Sequence, residues 1–278
     1  MASLCDLETG RRQVAEIRRL LAGRPGGVHL MGVAGIGMAG LAVHLVARGF
    51  RVAGCDLSPN RVSDVLVSRG VNVLAGHSPS HITSDVQWLV KSAAVPDDRD
   101  EILAAKKRGL SVYPRGAVLP ALLDGRTSVA VTGTHGKTTT SAMIAQVLAD
   151  GGLKPGFCIG GEVTALGGVA ASGAGRILVV EADESDGTVI LYEPDVAVIT
   201  NIEYDHMEHF RDEDTLVGCF KTFAANAKRR IIFCADDPRA VLYVRIIRKV
   251  SRMASRFART FAVRTSKRPL HPSRWTLY

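Results

Sequence analysis

The segment GTHGKTTT, Gly133 to Thr140, brings together the parts that a phosphate site requires. Its glycines let backbone N–H groups wrap around oxygens, Lys137 can neutralise β- and γ-phosphate charge, and the Thr138 hydroxyl can ligate Mg²⁺. The spacing is not that of a standard Walker A loop: Val131 stands six positions before Lys137, and the nearest earlier glycine, Gly133, stands four before it. The order strand, glycine turn, lysine, hydroxyl run and helix still reads as an ATP site made by Gly133, Thr134, His135, Gly136, Lys137, Thr138 and Thr139.

Two further segments offer chemistry downstream. EADESD, Glu181 to Asp186, follows an apolar strand, so Glu181 belongs near the strand's carboxyl end, where α/β sheets bind ligands. A carboxylate, a threonine hydroxyl and phosphate oxygens make an ordinary hard-oxygen shell for Mg²⁺, and Glu181 is the expected protein carboxylate. TNIEYDHMEHF, Thr200 to Phe210, follows another apolar strand and brings His206 to the same sheet edge if the strands run parallel. His209 lies three residues on, but no HExxH pattern is present and zinc is not expected there.

An earlier glycine-rich turn, GVAGIGMAG from Gly32 to Gly40, also follows a strand and opens a helix, a setting in which amides and the helix dipole hold phosphate or pyrophosphate. Asp56 closes the next strand, near where an acidic residue would meet a ribose hydroxyl. The fingerprint GxGxxG is not met, because the glycines fall at Gly32, Gly35 and Gly37 with Ala34 in the second position. An NAD-dependent oxidoreductase is therefore a weak reading, and a purely structural turn is its alternative.

Alternating strand-like and helix-like patterns position these segments. Val14, Ile17, Leu20 and Leu21 mark an amphipathic first helix. Strands read at Val28 to Met31, Arg51 to Cys55, Val71 to Leu74, Trp88 to Val90 and Leu110 to Val112, with helices at Val62 to Ser68 and Glu101 to Lys107. Asp124-Gly125-Arg126 is a turn-rich break. Beyond it, strands read at Ser128 to Thr132, Ile177 to Val180, Val196 to Thr200 and Arg230 to Cys234, and helices run from about Thr138 to Leu148 and from about Thr215 to Asn226. Both halves are expected to be α/β, each with a parallel sheet. The domains expected are 1–125, a Rossmann-like unit, and 126–240, an incomplete P-loop α/β unit, followed by a basic tail, 241–278.

Composition removes other classes. The chain has 278 residues, 46% hydrophobic and 22% charged, enough to bury a core. Its formal charge of +8 sits in one place: residues 1–240 hold 25 Lys and Arg against 27 Asp and Glu, and residues 241–278 hold 10 against none. A nearly neutral body gives no cationic groove, so nucleic acid is not an expected partner. Five scattered cysteines without a CxxC pair imply a reducing compartment, and no apolar run long enough for a membrane span occurs. A cytoplasmic location is expected.

In chain order these motifs resemble the Mur ligases, over about Val28 to Pro238: GVAGIGMAG, Gly76-His77, SAAVP (Ser92 to Pro96), GTHGKTTT, IGGEV (Ile159 to Val163), EADESD, TNIEYDHM and ADDP (Ala235 to Pro238). Ser185 in ESDG, followed by TNIEYDHM, resembles the alanine-adding branch more than the branch that recycles murein tripeptide. The resemblance implies an ATP-dependent amide ligase of peptidoglycan synthesis that takes UDP-N-acetylmuramate and L-alanine. It further implies that Gly32, Gly35 and Gly37, with Asp56, His77 and Ser92, face the UDP-substrate. Thr138 and Glu181 would hold a first Mg²⁺ and His206 would help with a second, and Lys137, Glu181 and His206 would carry catalysis. Lys221 is a conceivable counterpart of the carbamylated lysine of some relatives. The implied chemistry is attack of the muramyl carboxylate on the γ-phosphorus of ATP, then attack of the alanine amine on the acyl phosphate.

The chain departs from that family after Ala240. VLYVRIIRKVSRMASRFARTFAVRTSKRPLHPSRWTLY has no acidic residue, no glycine and no recognisable family motif, and the family's C-terminal domain is expected to be absent. A natural basic amphipathic helix is one reading; the abrupt change in mid-domain favours a shifted reading frame. An inactive nucleotide-binding remnant is thus a second functional expectation beside the ligase.

Overall fold

The apolar run after Gly26 becomes β1 (Gly27–Met31), buried along its whole length because strands lie on both sides of it and helices on both faces. The computed structural model describes residues 7–204, 212–243 and 259–263. Around β1 lie β2 (Arg51–Asp56), β3 (Asn72–Ala75), β4 (Val86–Lys91) and β5 (Ser111–Pro114), all parallel, in the order β3-β2-β1-β4-β5. The strand order reverses between β1 and β4, and ligands of open α/β sheets bind in the crevice beyond such a point. Gly32 follows β1 and Ser92 follows β4; the Ser92 N–H donates to the Met31 carbonyl at 3.0 Å.

The helices of this first unit are α1 (Leu7–Ala22), α2 (Ile36–Ala47), α3 (Arg61–Ser68), α4 (Asp100–Lys107) and α5 (Arg115–Leu122). In α1, Val14 and Ile17 are buried and Leu20 and Leu21 pack partly against the core, as the helical spacing of the sequence predicts. Asn60 caps α3, its side chain accepting from the Val62 N–H at 2.8 Å while Ser63 returns a bond to the Asn60 N–H. Every residue of α2 from Met38 to Leu45 is buried, so this helix is gripped between layers.

The second unit is built on β6 (Thr127–Thr132), with α6 (Lys137–Asp150), β7 (Gly156–Val163), β8 (Gly168–Ala171), β9 (Ile177–Glu181), β10 (Val196–Ile199), α7 (Glu213–Ala225), β11 (Arg230–Cys234) and β12 (Arg259–Val263). Its sheet runs β12-β11-β10-β6-β9-β7-β8. All neighbours are parallel except β7 and β8, which form an antiparallel pair that the expectation of a parallel sheet did not include. The basic segment after Ala240 supplies an edge strand: β12 pairs with β11 from Arg230↔Arg259 to Cys234↔Val263.

The two sheets share one apolar core. Buried residues from Val14 and Leu30 through Ala170, Val180 and Phe220 belong to a single contiguous cluster. α2 lies on β7 and β8; a side chain at Gly40 would collide with Cys158 Sγ, so glycine permits that approach. Polar contacts fix the relation, with Arg69 donating to the Ala170 carbonyl at 2.8 Å and His44 Nε2–H to the Phe157 carbonyl at 3.0 Å. Burial lowers the His44 pKa to about 4, since its charged form would lose water, and the neutral ring is the form that bonds here.

Candidate active site

The second glycine-rich turn is wired mainly by side chains. The strand β6 ends at the buried Thr132, and the backbone reverses through Gly133 at φ +135 and Gly136 at φ +78, values in which glycine is favoured. Asn201, just past β10, braces the loop three times: its carbonyl accepts from the Thr134 N–H at 3.1 Å, its Oδ1 from the His135 N–H at 2.9 Å, and its Nδ2 donates to the His135 carbonyl at 3.1 Å. Helix α6 then begins at Lys137 with Gly136 as its cap and no capping side chain. The first amides of α6 therefore lack an intrahelical acceptor and offer an anion site.

Lys137 folds back over this loop. Its Nζ donates to the Gly133 carbonyl at 2.8 Å, to the Thr134 carbonyl at 3.2 Å and to Glu184 Oε1 at 2.9 Å. Glu184 is buried; burial pushes its pKa up, and the Lys137 ammonium opposes that shift. Sequence reasoning singled out EADESD but chose Glu181 alone, because position relative to a strand end says nothing of which carboxylate meets the lysine.

Glu181, the last residue of β9, accepts from the Thr138 hydroxyl at 3.0 Å through Oε1 and from the Gly160 N–H at 2.7 Å through Oε2. An octahedron with bonds of about 2.1 Å has edges of about 3.0 Å, so the Thr138 and Glu181 oxygens stand at a separation that suits Mg²⁺, and both are hard donors. Gly160 leaves room for this carboxylate, since a Cβ there would lie 2.8 Å from Glu181 Oε1 and push that side chain's end aside. Thr139 is exposed at the start of α6, and His135 is exposed 3.7 Å from Glu203. The strands β9, β6 and β10 are parallel, as placing His206 at this edge requires, but His206 and His209 lie outside the described residues. Lys221, on α7, sits over the Tyr243 ring with Nζ 5.0 Å from its centroid.

The first glycine-rich turn is held by backbone bonds and one aspartate. Gly32 and Val33 donate N–H bonds to the Cys55 carbonyl at 2.8 and 3.1 Å, and Gly35 donates to the Gly32 carbonyl at 3.2 Å. Asp56 accepts from the Ala34 N–H at 3.0 Å through Oδ2 and from the Ser58 N–H at 3.0 Å through Oδ1. One of its oxygens holds the turn and the other the chain that follows β2. His77 is turned inward, its Nδ1 3.0 Å from Cys55 Sγ. Gly32 itself, at φ +81, permits close packing on Ser92.

A cavity of about 310 Å³ joins the two regions. Gly35, Gly37 and Ser92 line it from the first unit, and Cys158, Gly160, Glu181 and Asp183 from the second. Asp56 and His77 are not among its lining residues. The cation in this cavity is Arg115, the first residue of α5, which sequence reasoning missed because no motif surrounds it. Its guanidinium lies against Gly37, where a Cβ would stand 2.8 Å from a terminal nitrogen, and it pairs with Asp186 at 3.6 Å. Burial lowers the Arg115 pKa, but Tyr192, Asp186 and Asp183 outweigh this and leave it raised. Cys158 in the same wall is buried and its thiol is pushed up to about 12, so it is an inert wall and not a nucleophile.

Comparison with known proteins agrees with this geometry. Residues 27–127 match the family model described as Mur ligase family, catalytic domain, and residues 131–268 that of the Mur ligase middle domain. A UDP-N-acetylmuramate–L-alanine ligase of Gloeobacter violaceus is 45% identical over 208 residues, 75% of this chain and 45% of that protein. One from Carboxydothermus hydrogenoformans is 42% identical over 224 residues, 80% of this chain and 47% of its own length. The chain thus spans about half the length of the curated relatives it matches. Among solved structures, the UDP-N-acetylmuramate-alanine ligase of Thermotoga maritima superposes with a TM-score of 0.73 at 26% identity, covering 86% of this chain and 54% of that one. With two glycine-turn sheets, a shared cavity and family matches that extend across both, the chain belongs to the Mur ligase family.

Proposed function

We propose that the chain carries the UDP-sugar and ATP-phosphate sites of a ligase that joins L-alanine to UDP-N-acetylmuramate, in peptidoglycan synthesis in the cytoplasm. The observation that carries this reading is the cavity walled by Gly35, Gly37 and Arg115 on one side and by Gly160, Glu181 and Asp183 on the other. Residues 1–125 then hold the UDP part of the substrate and residues 126–240 the ATP, with the segment 241–278 adding the edge strand β12 to the second sheet. Among the described residues no helix is long and apolar enough to cross a membrane.

In this reading the amides at the start of α2 and the Arg115 guanidinium hold the diphosphate of the UDP-sugar. The amides at the start of α6 and the Lys137 ammonium hold the ATP phosphates. Thr138 and Glu181 would hold a first Mg²⁺ and His206 would help with a second, and such ions would neutralise phosphate charge. The substrate carboxylate reaches the γ-phosphorus from the shared cavity, ADP leaves, and the alanine amine displaces phosphate from the resulting acyl phosphate, losing a proton as the amide forms. A carboxylate is a poor electrophile, and phosphorylation supplies its leaving group. The remaining catalysis is positioning and charge stabilisation by Lys137 and the two helix ends.

The test is amide formation and phosphate release by the purified 278-residue chain with ATP, Mg²⁺, UDP-N-acetylmuramate and L-alanine. Turnover that requires all three substrates supports the ligase reading. Retention of labelled UDP-N-acetylmuramate without turnover supports the binding-only reading instead. Failure of a folded preparation to take up either a non-hydrolysable adenine nucleotide with magnesium or the UDP-sugar overturns both.

A further inference from the structure

Beneath the first glycine-rich turn, and apart from the cavity, side chains from five places in the first unit converge. They are His29 in the middle of β1, Cys55 near the end of β2, His77 after β3, His81 in the short turn Pro79–His81, and Glu101 in the first turn of α4. One ligand atom each from His29, Cys55, His81 and Glu101 lies within 4.8 Å of all the others. His29 and Cys55 are fully buried and Glu101 is 1% exposed. None of them takes part in the ligase chemistry proposed above.

The contacts are those of ligands more than of a hydrogen-bond chain. Cys55 Sγ lies 3.4 Å from His29 Nε2, 3.0 Å from His77 Nδ1, and 3.4 and 3.3 Å from the two Glu101 oxygens. A thiol has a single proton and satisfies one of these acceptors. Glu101 Oε1 in turn lies 2.8 Å from His29 Nε2 and 3.2 Å from His81 Nδ1. His29 Nδ1 is buried with no partner, so the ring acts only through the nitrogen that faces the cluster. Metal bonds of about 2.0 to 2.3 Å in a tetrahedron set ligand atoms about 3.3 to 3.7 Å apart; the Cys55 contacts to His29 and Glu101, at 3.3 to 3.4 Å, stand at that spacing, the His29–Glu101 pair at 2.8 Å would open by about half an ångström, and all four ligand atoms lie within 4.8 Å of one another.

Charge points the same way. A divalent ion with one thiolate, one carboxylate and two neutral imidazoles is a neutral unit, the form of least cost to bury. The mixture of one sulfur, two nitrogens and one oxygen suits zinc or a similar borderline ion and not Mg²⁺. We propose that His29, Cys55, His81 and Glu101 form a closed, four-coordinate site for a zinc-type divalent ion, with His77 beside Cys55 at its partly exposed edge. Binding displaces the thiol proton to solvent as the metal–sulfur bond forms. Because the Cys55 carbonyl accepts the Gly32 and Val33 amides, an ion held there anchors the first glycine-rich turn.

The full chain, freed of metal with a chelator and shown by circular dichroism to remain folded, is titrated with Co²⁺. One equivalent is expected to bind with a thiolate-to-cobalt charge-transfer band in the near ultraviolet and the intense visible bands of tetrahedral coordination, and zinc is expected to displace it. The near-isosteric Cys55→Ser abolishes the charge-transfer band, while Cys234→Ser, at a cysteine outside the cluster, leaves it intact. A folded wild-type chain that gives no such spectrum with excess Co²⁺, or a band that survives Cys55→Ser, overturns the proposal, and the wild-type measurement stands even if the variant does not fold.

Discussion

The two glycine-rich turns follow the same local recipe, strand then glycines then helix, and are stabilised by different means. In the first, Cys55 supplies a carbonyl and Asp56 a carboxylate, both to main-chain amides, and the turn's own sequence contains no cation. Arg115 brings the positive charge from a distant helix. In the second, the lysine is built in, and it is held by two loop carbonyls and the buried Glu184. A motif that contains its own charge can be recognised in sequence; one that borrows its charge through the fold cannot.

The strongest way to break the comparison is Lys137→Met. It leaves Glu184 buried without its ammonium, a loss of about 3 to 5 kcal/mol, to be read by urea unfolding at neutral pH, together with loss of adenine-nucleotide binding. The double variant Lys137→Met/Glu184→Gln should recover most of the stability and none of the binding. Full recovery of nucleotide affinity in the double variant would show that the pair is structural only.

Gly133→Ala comes next. Its Cβ would collide with Thr200 Oγ1 and crowd the Asn201 backbone at φ +135, so a cost of about 3 kcal/mol is expected. Gly136→Ala meets nothing within 4 Å and should cost only about 1 kcal/mol, the price of a left-handed residue. Equal losses of Tm in the two variants would contradict this account of the loop.

The link between the turns can be tested by pH. His44 in α2 bonds the Phe157 carbonyl in β7, and its folded pKa of about 4 lies below the ordinary value of 6.5. A histidine with a lowered pKa contributes its full stability above its unfolded value and loses it as pH falls from 6.5 toward 4. The expected loss is about 2 kcal/mol between neutral pH and about pH 5, and His44→Gln should flatten that part of the profile. An unchanged slope in the variant would assign the pH dependence elsewhere.

The smallest stability effect is expected at Gly37. A Cβ there meets only the end of the flexible Arg115 side chain, so Gly37→Ala should change stability by less than about 1 kcal/mol. Displacing the guanidinium should nevertheless weaken UDP-N-acetylmuramate binding several-fold and leave adenine-nucleotide binding unaltered. Calorimetry with each ligand separates the two turns directly.

Elements with regular patterns were legible in advance. The strands flanking both turns, α6 and α7 appear within a few residues of where periodicity puts them, because each buries one apolar face or is apolar throughout. Others were hidden. In α5, Gly116 and Pro120 read as breakers, yet a seven-residue buried stretch forms a helix, with Gly116 admitting Thr188 against its backbone. In β7, Gly160 and Gly161 weaken any strand signal, and the need for them lies in Glu181 and Thr138, which approach that backbone from other elements.

The sequence by itself determined that two glycine turns follow strands, singled out Lys137, Thr138 and Glu181 as candidates for phosphate and magnesium chemistry, and put the charge excess at the terminus. These follow from residue type and short-range spacing, which no packing can alter. Tertiary structure alone decided that Glu184 and not Glu181 holds Lys137, that Arg115 completes the cavity, and that Asp56 and His77 turn to the protein's own amides and thiol. Those outcomes depend on which strand ends meet across the sheets, a long-range geometry that the linear order of residues does not express.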